Sequence, residues 1–337
     1  MRSNRQAGKA NGSGPSCEPR VTETFRPARR FPCRLPAYQL YNCTIHLSSG
    51  SMEFAMHPTP LSESQRRSFE EDGYLVVRGA LDPAQIEALT ETGDRLMEGF
   101  EYPDFYAHRR PGLVQERPFL DLVTNERTVP LIVALLSFNI HITNTALIYK
   151  HPEAPGETGQ VNWHRDVGVS LDVGHVVLPF VGLKIGYCLT DFQAPDTGAT
   201  MFVRGSNNMK SALPIRKGQI HPDEYVQPIL RAGDAFLFEN RTYHAAGLNF
   251  TKQIAKVVIY GYHYRWIKPD HYMRFYSGIQ QPDAGLLAGT DDVGRQLLGA
   301  TVDSEGREAP DGIDWPIREW ADRHGLDVAQ YTHTVEA

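Results

Sequence analysis

Two hydrophobic periods share this chain. From Leu61 to about Leu136 apolar residues recur at three- and four-residue spacing; from Ile140 to Tyr264 they gather into short runs separated by Pro/Gly clusters. The first pattern belongs to amphipathic helices and the second to an all-β sandwich or jelly roll. Ser62 or Ser64 is placed to cap a helix to Glu71, which Asp72-Gly73 ends. Tyr74–Val77 reads as a short strand. Asp82-Pro83 opens a second helix through Met97 with Ile86, Leu89 and Leu96 on its apolar stripe, and a third covers Val129–Leu136. The predicted strands are Thr143–Tyr149, Val161–His164, Leu183–Leu189, Thr200–Val203, Ala235–Phe238 and Lys256–Tyr264. Helical pattern returns at Val293–Leu298 and Ile317–His324, expected to pack outside the barrel.

Residues 1–51 fit neither period. They carry eight Lys/Arg against two Glu and hold three of the four cysteines, Cys17, Cys33 and Cys43. The segment reads as a disordered tail, as an over-extended start with translation beginning at Met52 or Met56, or as an organellar transit peptide. The expected organisation is this extension followed by a single domain over 52–337, a β core with N-terminal helices and a C-terminal helical and loop extension. The net charge of −6 leaves the part after residue 51 at −12, which argues against nucleic acid as a partner. No apolar run reaches the roughly 18 residues of a membrane span. Lacking a cysteine framework or a CxxC pair, the chain is expected in a reducing compartment, the cytoplasm. Oligomeric state is left open.

The candidate chemistry is concentrated in Trp163-His164-Arg165-Asp166. His164 and Asp166 are two apart, so on an extended strand they share a face. Tyr243-His244 follows a later apolar strand and offers a third ligand. Two histidines and one carboxylate are the donor set that holds Fe(II) with open positions. The same three ligands around zinc or another divalent ion would serve a hydrolase or isomerase. A degenerate, non-catalytic binding protein is the third reading.

Around these residues stand Asp72-Gly73-Tyr74-Leu75-Val76-Val77, Leu189-Thr190-Asp191, Gly198-Ala199-Thr200, Gly205-Ser206, Gly233-Asp234 and Asn249-Phe250-Thr251. In this order and spacing, over about residues 61–270, the chain resembles the phytanoyl-CoA dioxygenase family. The resemblance implies a mainly β double-stranded β-helix (jelly roll, cupin-like) with flanking helices. It also implies a dioxygenase in which His164, Asp166 and His244 hold Fe(2+), with 2-oxoglutarate and O2 as co-substrates and a small molecule hydroxylated. Related halogenases replace the carboxylate by a small residue; Asp166 favours hydroxylation.

One position departs from the family. Members usually carry an arginine eleven residues after the second histidine, gripping the distal carboxylate of 2-oxoglutarate; here that position is Ala255. Lys256 points the other way on a strand, and Arg265 lies too far along. Lys184 is the expected substitute if its face of Leu183–Leu189 lines the barrel. Asn144, Thr145 and Tyr149, on the strand before the metal motif, are the expected hydrogen-bond partners of the co-substrate. Arg165 is expected to turn away from the metal, towards substrate or solvent. Substrate-lining loops are sought in Phe100–Phe119, Val167–Pro179 and Met209–Val226; Tyr102, Phe105, Tyr106, His108, Arg109 and Arg110 in the first would suit an anionic or amphipathic molecule.

Overall fold

Ser62 caps the first helix, α1 (Glu63–Asp72), in a reciprocal capping box with Gln65, and Gly73 ends it in the left-handed conformation at φ 81°. A side chain at Gly73 would also strike Thr242. The computed structural model describes residues 61–101, 106–110, 112–154, 161–166, 174–267, 284–300, 306 and 316–326, all within one compact unit, Met56–Ala337. Segment 1–51, Tyr102, Phe105 and residues 167–173 of the second candidate loop lie outside the described residues.

After β1 (Tyr74–Val77), Asp82 caps α2 (Pro83–Met97) in a second capping box with proline in the first turn. Then come β2 (Ala107–Arg109), α3 (Arg117–Asp121) and α4 (Val129–Leu135). The β core follows as β3 (Ile140–Lys150), β4 (Gly182–Cys188), β5 (Thr200–Phe202), β6 (Ala235–Glu239), β7 (His244–Ala246) and β8 (Ala255–Tyr264). Helices α5 (Ala284–Ala288), α6 (Asp292–Leu297) and α7 (Pro316–Arg323) complete the described chain. The expected strand at Val161–His164 is reduced to a single bridge, because only His164 pairs, with His244. No helix among the described residues is long and apolar enough to cross a membrane.

The large sheet is antiparallel, in the order β1-β6-β4-β8-β3-β2; β5 and β7 pair opposite it, and the His164 bridge extends that smaller layer. This is the jelly-roll arrangement. Its two faces bury different cores. Leu147, Tyr149, Leu183, Ile185, Tyr187, Leu237, Val258, Tyr260 and Tyr262 pack against the helices. The alternate residues Ala146, Cys188, Phe236, Phe238, Val257 and Ile259 meet Phe202 and Phe192 inside the barrel. Each phenylalanine buried there contributes about 1.5–3 kcal/mol relative to exposure. Gly186 is required at one such contact, since a Cβ would overlap the Phe236 ring.

The register places Lys184 opposite both Gly261 and Phe238, and Gly261 opposite Asn144. One cross-strand row inside the barrel therefore reads Phe238, Lys184, Gly261, Asn144. A side chain at Gly261 would overlap the Asn144 amide. The interior is closed on one side, where Phe202, Phe236 and Phe238 are fully buried. It is open on the other, where Asn144, Ile148, Lys184 and His108 are half-buried.

Candidate metal centre

His164 and His244 exchange both backbone hydrogen bonds, N–H to C=O at 3.1 and 3.0 Å, so the two histidines sit side by side across one bridge. The Asp166 N–H goes on to Asn240 O at 3.1 Å. Backbone pairing, rather than a long strand, thus brings the three side chains together. Each imidazole has its Nδ1 on a backbone carbonyl: His164 on Asn162 O at 2.9 Å and His244 on Thr242 O at 3.0 Å. A carbonyl only accepts, so Nδ1 carries the proton and both Nε2 lone pairs remain for a metal. They lie 3.7 and 3.6 Å from Asp166 Oδ1, and the three ligand atoms fall within 4.8 Å of one another.

The donor set fits a resident divalent ion. Asp166 Oδ2 is buried without a hydrogen-bond partner among the described residues, a costly arrangement unless something cationic approaches it. Burial alone would raise the Asp166 pKa, but Lys184, His244 and His164 outweigh it and hold the carboxyl well below the usual range. Burial drives the His244 pKa down to about 3, Asp166 opposing and His164 and Lys184 assisting. A neutral imidazole beside an ionised carboxylate is the protonation state metal binding needs.

Lys184 points inward, as the alternation of its strand implies, but its ammonium is 2.5 Å from Asp166 Oδ1. The expected role is corrected in that respect: this cation is committed to the ligand carboxylate rather than held in reserve for a co-substrate. Thr145 and Tyr149 are corrected more sharply. They pair with Tyr260 and Lys256 on the helix-facing side of the sheet, where Tyr149 donates to Asp94 Oδ1 at 2.6 Å and Thr145 to Arg110 O at 3.5 Å. Adjacent residues on a strand cannot share a face, so of the three only Asn144 looks into the barrel. Its Oδ1 is buried and has no partner among the described residues. Ala255 is buried against Gly198, with Lys150 opposite in register and ion-paired to Glu153 at 2.9 Å.

Arg165 turns away from the metal but into the protein rather than solvent. It is 7% exposed; Nε donates to Arg241 O at 2.6 Å, and Nη2 to Ser206 O at 2.6 Å and Met209 O at 2.8 Å. Its guanidinium covers the Tyr243 ring at 4.4 Å. Asn240, which belongs to none of the sequence motifs, is a second fastener. Its Oδ1 accepts from Val181 and Gly182 N–H, its Nδ2 donates to Pro179 O, and its carbonyl holds Asp166. Its place directly after β6, two residues beyond the apolar run Ala235–Phe238, is the signal it leaves in the sequence. Trp163 packs edge-on against Tyr225 and His221, outside the ligand set.

His263, behind the centre, has its Nδ1 2.7 Å from Thr143 Oγ1. Burial lowers its pKa to about 4, with Asp166 opposing; burial likewise lowers His141 to about 4, against its hydrogen bond to Ile267 O. Both groups bind protons more readily unfolded, at about 6.5, so their contribution to stability is complete above that pH and is lost as pH falls from 6.5 towards 4. Together they are expected to remove about 2 kcal/mol between pH 7 and 5.5. Urea midpoints at the two pH values check this; equal midpoints would contradict it.

Known proteins resemble this chain in family, in sequence and in fold. The model of the phytanoyl-CoA dioxygenase family matches residues 69–257. Dioxygenase trt7 of Aspergillus terreus (strain NIH 2624 / FGSC A1156) is 24% identical over 219 residues, covering 60% of this chain and 73% of the relative. Dioxygenase cdmD of Talaromyces verruculosus is 26% identical over 293 residues, covering 76% and 89%. Among solved structures, HygX from Streptomyces hygroscopicus with nickel and 2-oxoglutarate bound superposes with a TM-score of 0.50 at 16% identity, covering 61% of this chain and 88% of that one.

Proposed function

Since the chain belongs to the phytanoyl-CoA dioxygenase family, we propose that it is a non-haem Fe(II) oxygenase that couples decarboxylation of 2-oxoglutarate to hydroxylation of a small molecule. The observation that carries this is the centre itself: two Nε2 lone pairs and one ionised carboxylate converge, with both Nδ1 atoms tied back and one carboxylate oxygen unpartnered. The relatives trt7 and cdmD, both dioxygenases, support the same class.

Iron(II) bound there, with 2-oxoglutarate and O2, supplies the oxidising chemistry, the keto acid leaving as succinate and CO2. The protein contributes position and environment. The bridge through His164 and His244 sets the spacing of two ligands, and Asn240 sets the height of the third. Lys184 fixes Asp166 Oδ1. Phe238, with its ring 4.4 Å from that of His244, keeps water off the buried flank. The His164 side chain is 41% exposed against 8% for His244, so substrate approaches from the His164 side.

The test is reconstitution with Fe(II) without oxygen, addition of 2-oxoglutarate, and inspection for the visible charge-transfer band of the bidentate chelate. Admission of air should then yield succinate, and chelating the iron away should abolish it. A protein that gives neither band nor succinate is not this enzyme.

A further inference from the structure

Ala255 leaves the distal carboxylate of the keto acid without the family's arginine, and Lys184 is committed to Asp166. The open side of the barrel carries other cationic and donor groups. β2 pairs with the far edge of β3, His108 opposite Ile148, whose side chain packs onto the barrel-interior cluster. Directly opposed residues of an antiparallel pair share a face, so His108 faces the interior. Arg110, one residue past the strand, has its Nη2 3.4 Å from His108 Nδ1 and so lies on that side too. Continuing the register sets Arg110 beside Ala146, a small residue one row beyond Asn144 and Gly261.

The protonation of His108 follows from its neighbours. Burial, then Arg110 and Lys184, push its pKa down to about 3, so the ring is neutral. A guanidinium has only donors, so Nδ1 accepts from Arg110 and Nε2 carries the hydrogen. That Nε2–H is buried and has no partner among the described residues. The strand order β4-β8-β3-β2 puts three strand spacings, about 14 Å, between the strands of Lys184 and His108, and His108 stands four residues further along, level with Ile148 where Lys184 is level with Asn144. The two long side chains nevertheless approach across the interior closely enough for the Lys184 charge to lower the His108 pKa. The rows level with His108 and Arg110 are occupied on the same sheet by Ile148 with Val257 and by Ala146 with Ile259, and the small Ala146 leaves the Asn144 side as the course for the diacid.

Building on the functional reading above, we infer that Arg110 and the Nε2–H of His108 receive the distal carboxylate of 2-oxoglutarate, moving the anchoring guanidinium from β8 to the edge strand β2. Asn144 lies along the path between that anchor and the metal. An arginine fork retains the two-point grip on a carboxylate that a lysine cannot supply.

The experiment is calorimetric titration of the Zn(II)-loaded full chain with 2-oxoglutarate and with 2-oxobutyrate, which keeps the chelating keto acid but lacks the distal carboxylate. Arg110→Ala should weaken 2-oxoglutarate by about 30-fold or more and leave 2-oxobutyrate within about twofold. Arg110→Lys should fall between wild type and Arg110→Ala, and His108→Leu should weaken 2-oxoglutarate alone. Unchanged 2-oxoglutarate affinity in Arg110→Ala overturns the inference. So does an equal loss for both acids, which would show that Arg110 supports the fold rather than the carboxylate. A wild-type protein that binds neither acid defeats the functional reading itself, and this assignment with it.

Discussion

Asp166→Asn is expected to cut iron-dependent succinate formation by more than about 10³-fold, a loss of more than about 4 kcal/mol of transition-state stabilisation. The side chain keeps its size, so the effect isolates charge. Asp166 is the only anionic member of the ligand set, and its Oδ1 stands 3.6–3.7 Å from both histidine Nε2 atoms and 2.5 Å from the Lys184 ammonium. An amide gives the metal a neutral, weakly donating oxygen and leaves Lys184, 18% exposed, facing no counter-charge. Iron affinity, followed by titration without oxygen, should fall together with turnover. Asp166→Glu, which restores the charge one methylene further out, should recover part of the iron affinity. An asparagine variant that kept a tenth of wild-type turnover would remove Asp166 from the metal.

The parts of this molecule that were legible in the sequence are those in which one local rule decides. Ser62 and Asp82 cap helices where expected because capping needs only a side-chain oxygen three residues ahead of an N–H. The motif residues around the metal segment turn out to be fasteners. Asp234 takes the Arg231 and Gly79 N–H groups. Asn249 joins Lys150 O to Gln253 O, and the Ser206 hydroxyl accepts from Tyr243 N–H. Turns of this kind tolerate few alternatives, so they leave a pattern in the chain. The convergence of His164, Asp166 and His244 was legible for a related reason, since His-x-Asp fixes the relative direction of two of the three side chains.

What stayed hidden depends on contacts distant in sequence. Whether Asn144 or Thr145 faces the metal is a matter of register, and β3 carries an irregularity between Ile142 and Asn144 that resets it. The three-residue strand β2 is too short to show a period, yet it brings His108 and Arg110 to the open side of the barrel. The inward direction of Lys184 was readable from alternation, whereas its partner lies eighteen residues back along the chain. Arg165 was placed on the correct face, away from the metal. That face is covered by the chain around Ser206 and Met209 rather than by solvent, and no residue near Arg165 announces this cover.

Arg165→Leu should therefore be among the most damaging single changes outside the ligands. Three backbone carbonyls, of Arg241, Ser206 and Met209, accept from this one guanidinium. Leucine takes this donor from Arg241 O and Met209 O, while Ser206 O keeps the Met209 N–H. Two buried carbonyls that lose a charged donor cost about 1–3 kcal/mol each, and with partial relaxation the sum is about 2–4 kcal/mol. Arg165→Lys should not restore it, because one ammonium cannot reproduce the forked geometry. The bond to Arg241 O ties the segment between His164 and Asp166 to the segment before His244, and the other two tie it to the turn after β5, so the damage should extend to the metal. Urea unfolding of the metal-free protein measures the first effect, and Fe(II) titration at a temperature where the variant is still folded measures the second. A variant that loses stability but binds iron as tightly as wild type would show that Arg165 holds the fold together without positioning the ligands.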